Sequence, residues 1–68
     1  MNVETYEIVV KGTFEPSLIS DIDGFTVDRI ENGYTYLIGS VPDRVRLLGV
    51  LQALQDLTIP LVSVNPAR

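Results

Sequence analysis

Over residues 5–12 apolar and polar positions alternate, with Tyr6, Ile8 and Val10 on one side and Glu7, Val9 and Lys11 on the other. That period of two, with Ile8, Val9 and Val10 consecutive, predicts a strand that Gly12 ends. Residues 13–24 read as a connection. Pro16 suits the first turn of a short helix. Leu18, Ile19 and Ile22 would share one side of it. Gly24 after Asp23 is a stop. The length allows one or two turns, and plain loop is the alternative.

Residues 25–39 predict a hairpin. Phe25, Val27 and Arg29 alternate with Thr26, Asp28 and Ile30. Asn32-Gly33 then tolerates the positive φ of a tight type I′ turn. A second strand rich in aromatic and β-branched residues runs from Tyr34 to Ile38 and closes at Gly39. Val41-Pro42-Asp43 opens a helix in which Pro42 suits the first turn and Asp43 complements the dipole. Ser40 lies one residue early for a cap, so no N-cap is assigned. Leu47, Val50, Leu51, Leu54 and Leu57 recur at three- and four-residue steps as one core stripe through about Asp56. Residues 58–65 form the last strand, with Ile59, Leu61, Val62 and Val64. Pro60 cannot donate to a ladder, which places it at a strand start or the strand at a sheet edge. From Pro66 the tail is expected to fray.

The order is strand, short helix, strand, strand, helix, strand. It predicts an α+β fold, a ferredoxin-like βαββαβ with a reduced first helix. The sheet would be four-stranded and antiparallel in the order 4-1-3-2, with one long helix on one face. Residues 1–68 make a single small α+β domain. Which sheet face packs on the helix stays open at this point.

The pattern leaves apolar groups over. Tyr34, Tyr36 and Ile38 share one side of their strand, and Val9 opposes the Tyr6–Ile8–Val10 set. Strands apolar on both sides are usually covered on both faces. On the helix, Val45 points nearly away from the core stripe, Leu48 lies off to one side, and Gly49 sits beside Val45. Val9, Tyr34, Tyr36, Ile38, Val45, Leu48 and Gly49 are therefore the candidate interface residues. A chain this short buries only about 60% of its unfolded surface, and such domains are marginal alone. The expected partner is a second copy of the chain, as a homodimer or higher homo-oligomer, or else another protein.

Composition narrows the chemistry. Hydrophobic residues are 46% and charged residues 21%, which excludes a disordered chain. The net charge is −4, and the five bases (Lys11, Arg29, Arg44, Arg46 and Arg68) are scattered. Nucleic acid and anionic membrane are thus not expected partners. No apolar run approaches the ~20 residues of a membrane span, and a cytoplasmic protein is expected. Cysteine, histidine and tryptophan are absent, so no thiolate or imidazole metal site is expected. Asp21, Asp23, Asp28 and Glu31 do not match a calcium loop. Ser17, Ser20, Ser40 and Ser63 have no histidine to activate them, and Lys11 reads as solvated. Glu7 and Asp28, the conceivable acid–base pair, fall at alternating polar strand positions. Arg44 and Arg46, beside the loop from Gly39 to Asp43, are the candidate anion-binding pair. No catalytic residue, metal site or cofactor is assigned.

Two function classes follow. One is a small non-enzymatic module that self-associates or serves as an accessory subunit. The other is a small-molecule-binding or enzymatic α+β barrel-type dimer, with a pocket at the sheet face lined by Tyr34, Tyr36 and Ile38 and served by Arg29.

Tyr6-x-Ile8-x-Val10-x-Gly12, Gly24-Phe25, Asn32-Gly33-x-Thr35-x-Leu37-x-Gly39, Val41-Pro42-Asp43, Leu48-Gly49-x-Leu51 and Leu61-x-Ser63-Val64 together resemble a group of short, uncharacterised bacterial proteins. The resemblance spans nearly the whole chain and implies a small α+β fold without an activity. Many members carry tryptophan in the first connection, where this chain has Leu18 and Ile19. In topology alone the chain is also similar to ACT-type regulatory domains and dimeric α+β barrel proteins.

Overall fold

The computed structural model describes residues 3–19, 22 and 24–67. Ser20, Asp21, Asp23 and Arg68, considered above, lie outside the described residues. The chain runs β1 (Glu4–Lys11), α1 (Pro16–Ile19), β2 (Phe25–Glu31), β3 (Tyr34–Val41), α2 (Arg44–Asp56) and β4 (Leu61–Pro66). All three strand pairings are antiparallel, in the order β2-β3-β1-β4. This is the α+β class with the sheet order expected from the sequence.

The hairpin forms where Asn32 and Gly33 allow it, with φ of 55° and 81°, and Glu31 pairs with Tyr34 across the turn. Strand β3 does not stop at Gly39 as expected. It runs on to Val41, because Gly39 pairs with both Tyr6 and Phe25 and the Phe25 ring lies against it.

One sheet face packs on α2. Ile8, Val10, Phe25, Leu37 and Val41 form its buried cluster with Ile22, Val50, Leu54 and Ile59. Tyr6, Phe14, Val27, Leu47, Leu51 and Val64 close the edges. Phe14 and Ile22, on either side of α1, thus help to cover this face of the sheet. Thr35 is buried in this layer, and its hydroxyl donates to the Gly12 carbonyl at 2.7 Å. Its polar atom therefore carries no desolvation penalty.

Helix α2 begins one step later than the sequence suggests. Asp43 is extended (φ −159°, ψ 174°) and its carboxylate accepts from the Arg46 N–H at 2.9 Å, so Asp43 is the N-cap. Pro42 precedes the cap instead of standing in the first turn. At the other end the Thr58 N–H donates to Gln55 O at 2.9 Å and the Ile59 N–H to Leu54 O at 3.0 Å. These two bonds, with Thr58 at φ 56°, are a Schellman cap. The usual apolar contact of such a cap has its two members here in Leu54 and Ile59, both buried. Leu57 becomes the C-cap and is 42% exposed instead of core.

The cap also delays β4, which starts at Leu61 directly after Pro60 and is an edge strand. Pro66 is ordered within it, because the Ala67 N–H donates to Thr5 O at 2.7 Å. By antiparallel alternation Pro66 then faces outward, where no ladder donor is required.

A β-branched residue in the left-handed region costs roughly 1–2 kcal/mol. Thr58→Gly should therefore stabilise the chain by about 1 kcal/mol, read as a higher midpoint in urea denaturation. An unchanged or lower midpoint would contradict the cap geometry.

Candidate interaction surfaces

The face of the sheet away from α2 carries the residues singled out on β1 and β3. Tyr36 pairs with Val9, Ile38 with Glu7 and Tyr34 with Lys11, so the four candidate residues share this open face. Val9 is 8% exposed, flanked by Tyr36 on β3 and Ser63 on β4. Tyr34, Tyr36 and Ile38 are half-buried within the chain itself.

Arg29 supplies the cover over Tyr36. Strict alternation would set Arg29 on the side of Phe25 and Val27, against the core. A register shift between Val27 and Arg29 instead pairs Arg29 with Tyr36. A β-bulge of this kind re-aims the side chains that follow it. The Arg29 Cζ stands 3.9 Å from the centroid of the Tyr36 ring. Its guanidinium also reaches Asp28 at 3.2 Å, Glu31 at 3.5 Å and Glu7 at 3.9 Å. Burial opposes the charge on Arg29, but the Glu31 and Glu7 carboxylates outweigh it and hold its pKa above the ordinary value. Arg29 is therefore a permanent cation lying over an aromatic face. Exposed ion pairs of this kind contribute little to stability. What the cluster does is occupy the space over Tyr36 and surround it with charge.

The conceivable acid–base pair of Glu7 and Asp28 is drawn onto this same guanidinium. Among the described residues no group of three or more acidic side chains is placed to hold a metal ion.

The second set of candidate residues lies on α2. Val45, Leu48 and Gly49 fall at helical spacing on its outward side, with Val45 78% and Leu48 64% exposed. Among the described residues, no atom outside the helix's own backbone comes within 4 Å of where a Gly49 Cβ would stand. Beside this side runs a groove between α2 and β4 of about 410 Å³, lined by Leu48, Leu51, Gln52, Gln55 and Leu61 among others. Leu61 is 49% and Val62 52% exposed at the start of β4. The sequence reading missed this contribution, because it took Leu61 and Val62 simply as strand residues.

Arg44 and Arg46 stand at the first turn of α2. There the Asp43 carboxylate already takes the Arg46 N–H. A shallow cavity of about 330 Å³ near Arg44 is lined by Glu4, Tyr6, Val41, Pro42 and Asp43. Two carboxylates thus border the place where an anion would sit. Among the described residues no helix is long and apolar enough to cross a membrane.

A family model described as a domain of unknown function, DUF8691, matches residues 5–65. No curated protein and no solved structure matches the chain. The match covers nearly all of the sequence, and the chain belongs to the DUF8691 family.

Proposed function

We propose that this DUF8691 protein is a non-enzymatic interaction module whose partner is a second copy of itself. One observation carries the reading: Val45, Leu48, Leu57, Leu61 and Val62 are 78%, 64%, 42%, 49% and 52% exposed. All five belong to α2, its C-cap or the start of β4. Single exposed apolar residues are ordinary, but Leu48 and Leu61 line one groove between α2 and β4, and apolar residues grouped on neighbouring elements mark an interaction surface. The open sheet face, with Val9, Tyr34, Tyr36 and Ile38, is the lesser surface in this reading, since Arg29 and its carboxylates already cover part of it.

The fold belongs to the proposal as a ferredoxin-like domain in miniature. With all neighbours antiparallel, β1 and β2 run parallel on either side of β3, and β3 and β4 on either side of β1. Two interleaved crossovers of that kind are the ferredoxin-like arrangement. In it the first crossover helix is the four-residue α1, and among the described residues no other helix stands beside α2.

Sedimentation velocity on the full chain tests self-association. Between about 1 µM and about 1 mM the sedimentation coefficient should move from monomer to dimer, as expected for a modest interface. A single monomeric species over that whole range overturns the proposal.

A further inference from the structure

We infer that the second copy docks on α2 itself, helix against helix and antiparallel, across a two-fold axis that passes between Leu48 and Gln52 on its outward side. This rests on the self-association proposed above and adds its geometry. Arg44, Leu48, Gln52 and Asp56 stand four residues apart along α2 and are all exposed. Residues at that spacing form one continuous ridge on a helix.

Turned end for end, this ridge complements itself. The cation at its N-terminal end meets the carboxylate at the C-terminal end of the other copy. In the same register Leu48 of one copy meets Gln52 of the other. Both matches follow from one register, because Leu48 lies as far from Arg44 as Gln52 lies from Asp56. A parallel arrangement would bring cation against cation and carboxylate against carboxylate. The antiparallel one also opposes the two helix dipoles favourably. Asp56 is already held on the ridge, accepting from Gln52 Nε2 at 3.1 Å.

The neighbouring ridge explains a residue that the isolated chain does not. It reads Val45, Gly49, Ala53. Glycine in the middle of an exposed helix costs stability against alanine, and no contact among the described residues requires it at position 49. Between two packed helices the absent Cβ leaves a notch. Leu48 of the partner copy fits between the two ridges there, in the packing class with axes crossing at about −50°. The apolar floor then continues past the helix into the groove formed with Leu51 and Leu61.

Sedimentation equilibrium on full-length variants tests this geometry. Arg44→Asp should weaken the dimer about tenfold or more, by placing carboxylate against carboxylate twice across the axis. Adding Asp56→Arg should restore affinity to within about threefold of the native chain. Gly49→Ala should show opposite signs in two readouts, a higher thermal midpoint for the dilute monomer and a weaker dimer. The higher midpoint shows that the variant folds. If the native chain dimerises and these variants dimerise equally well, the helix pairing is wrong while self-association stands. If the native chain never dimerises, both proposals fail together.

Discussion

Leu54→Ala should destabilise the chain by about 2–5 kcal/mol, a large share of its whole stability. Leu54 is 1% exposed and sits in one cluster with Ile8, Val10, Leu37, Val50 and Ile59. Removing a buried leucine side chain costs about 2–5 kcal/mol, as lost transfer energy plus an unfilled cavity. The whole stability expected for a domain of this size is only about 3–10 kcal/mol. The fold has little redundancy to absorb the loss. Only Val50 and Leu54 of α2 are fully buried, with Leu47 and Leu51 half-buried beside them. The substitution also weakens the Schellman cap, because it removes the apolar partner of Ile59 while the Leu54 carbonyl that accepts from the Ile59 N–H remains. Leu48→Ala is the matched control, since the same chemical change at an exposed position should move stability by less than about 0.5 kcal/mol in the dilute monomer. Urea denaturation followed by far-UV circular dichroism reads both. A Leu54→Ala protein as stable as the native one would mean that α2 does not hold the sheet as described.

The fold was legible where local chemistry and periodicity agreed. Asn32-Gly33 named its turn because the two positive φ values suit those residues. The sheet order followed from the sequence of elements and from Pro60, which fits only a strand start or an edge. Legibility failed where one residue changes the count. Alternation grouped Arg29 with Phe25 and Val27 on one side of β2, and a single bulge at Asp28 separated it from them and set it over Tyr36. The bulge is a tertiary compromise. Without it a guanidinium would face Leu37 and Thr35, and the cost of burying that charge exceeds the cost of a local break in the ladder. Helix ends were also misjudged by a residue or two. Asp43 caps α2 through its side chain, a role that Pro42 at the preceding position conceals, and Thr58 takes a left-handed conformation that composition would assign to glycine.

The candidate surfaces divide in the same way. The apolar surplus on α2 was visible because helical spacing puts Val45 and Leu48 off the core stripe without any knowledge of the sheet. The surplus on β3 was visible too, but its cover was not. Tyr36 looked like an exposed ring in need of a partner. It is half-buried because Arg29, from a neighbouring strand, lies over it. Sequence spacing reports which residues share a face. It does not report which long side chain folds back over that face, and this decides whether the apolar area is still on offer.

Gly39→Ala should destabilise the chain by about 1–3 kcal/mol, through overpacking. Propensity alone argues for the opposite sign, since alanine in a strand interior is better than glycine by roughly 0.5–1 kcal/mol. The local geometry decides. A Cβ on Gly39 would run into the Gly24 carbonyl oxygen and lie 2.7 Å from Phe25 Cγ and 2.8 Å from Cδ1. Carbon atoms in good contact stand about 3.5–4.0 Å apart. The carbonyl belongs to the backbone and cannot turn aside. The Phe25 ring is 2% exposed and fixed in the core. Relief therefore requires β2 to draw away from β3 at the point where the connection from α1 enters the sheet. The same substitution at Gly49 meets open space and should raise monomer stability, so the two glycines give opposite signs for one chemical change. At roughly 4–8 °C per kcal/mol for a domain of this size, the two variants should lie on opposite sides of the native thermal midpoint. Were Gly39→Ala to melt at or above the native protein, the packing of Phe25 on Gly39 would be refuted, and with it the reason β3 continues to Val41.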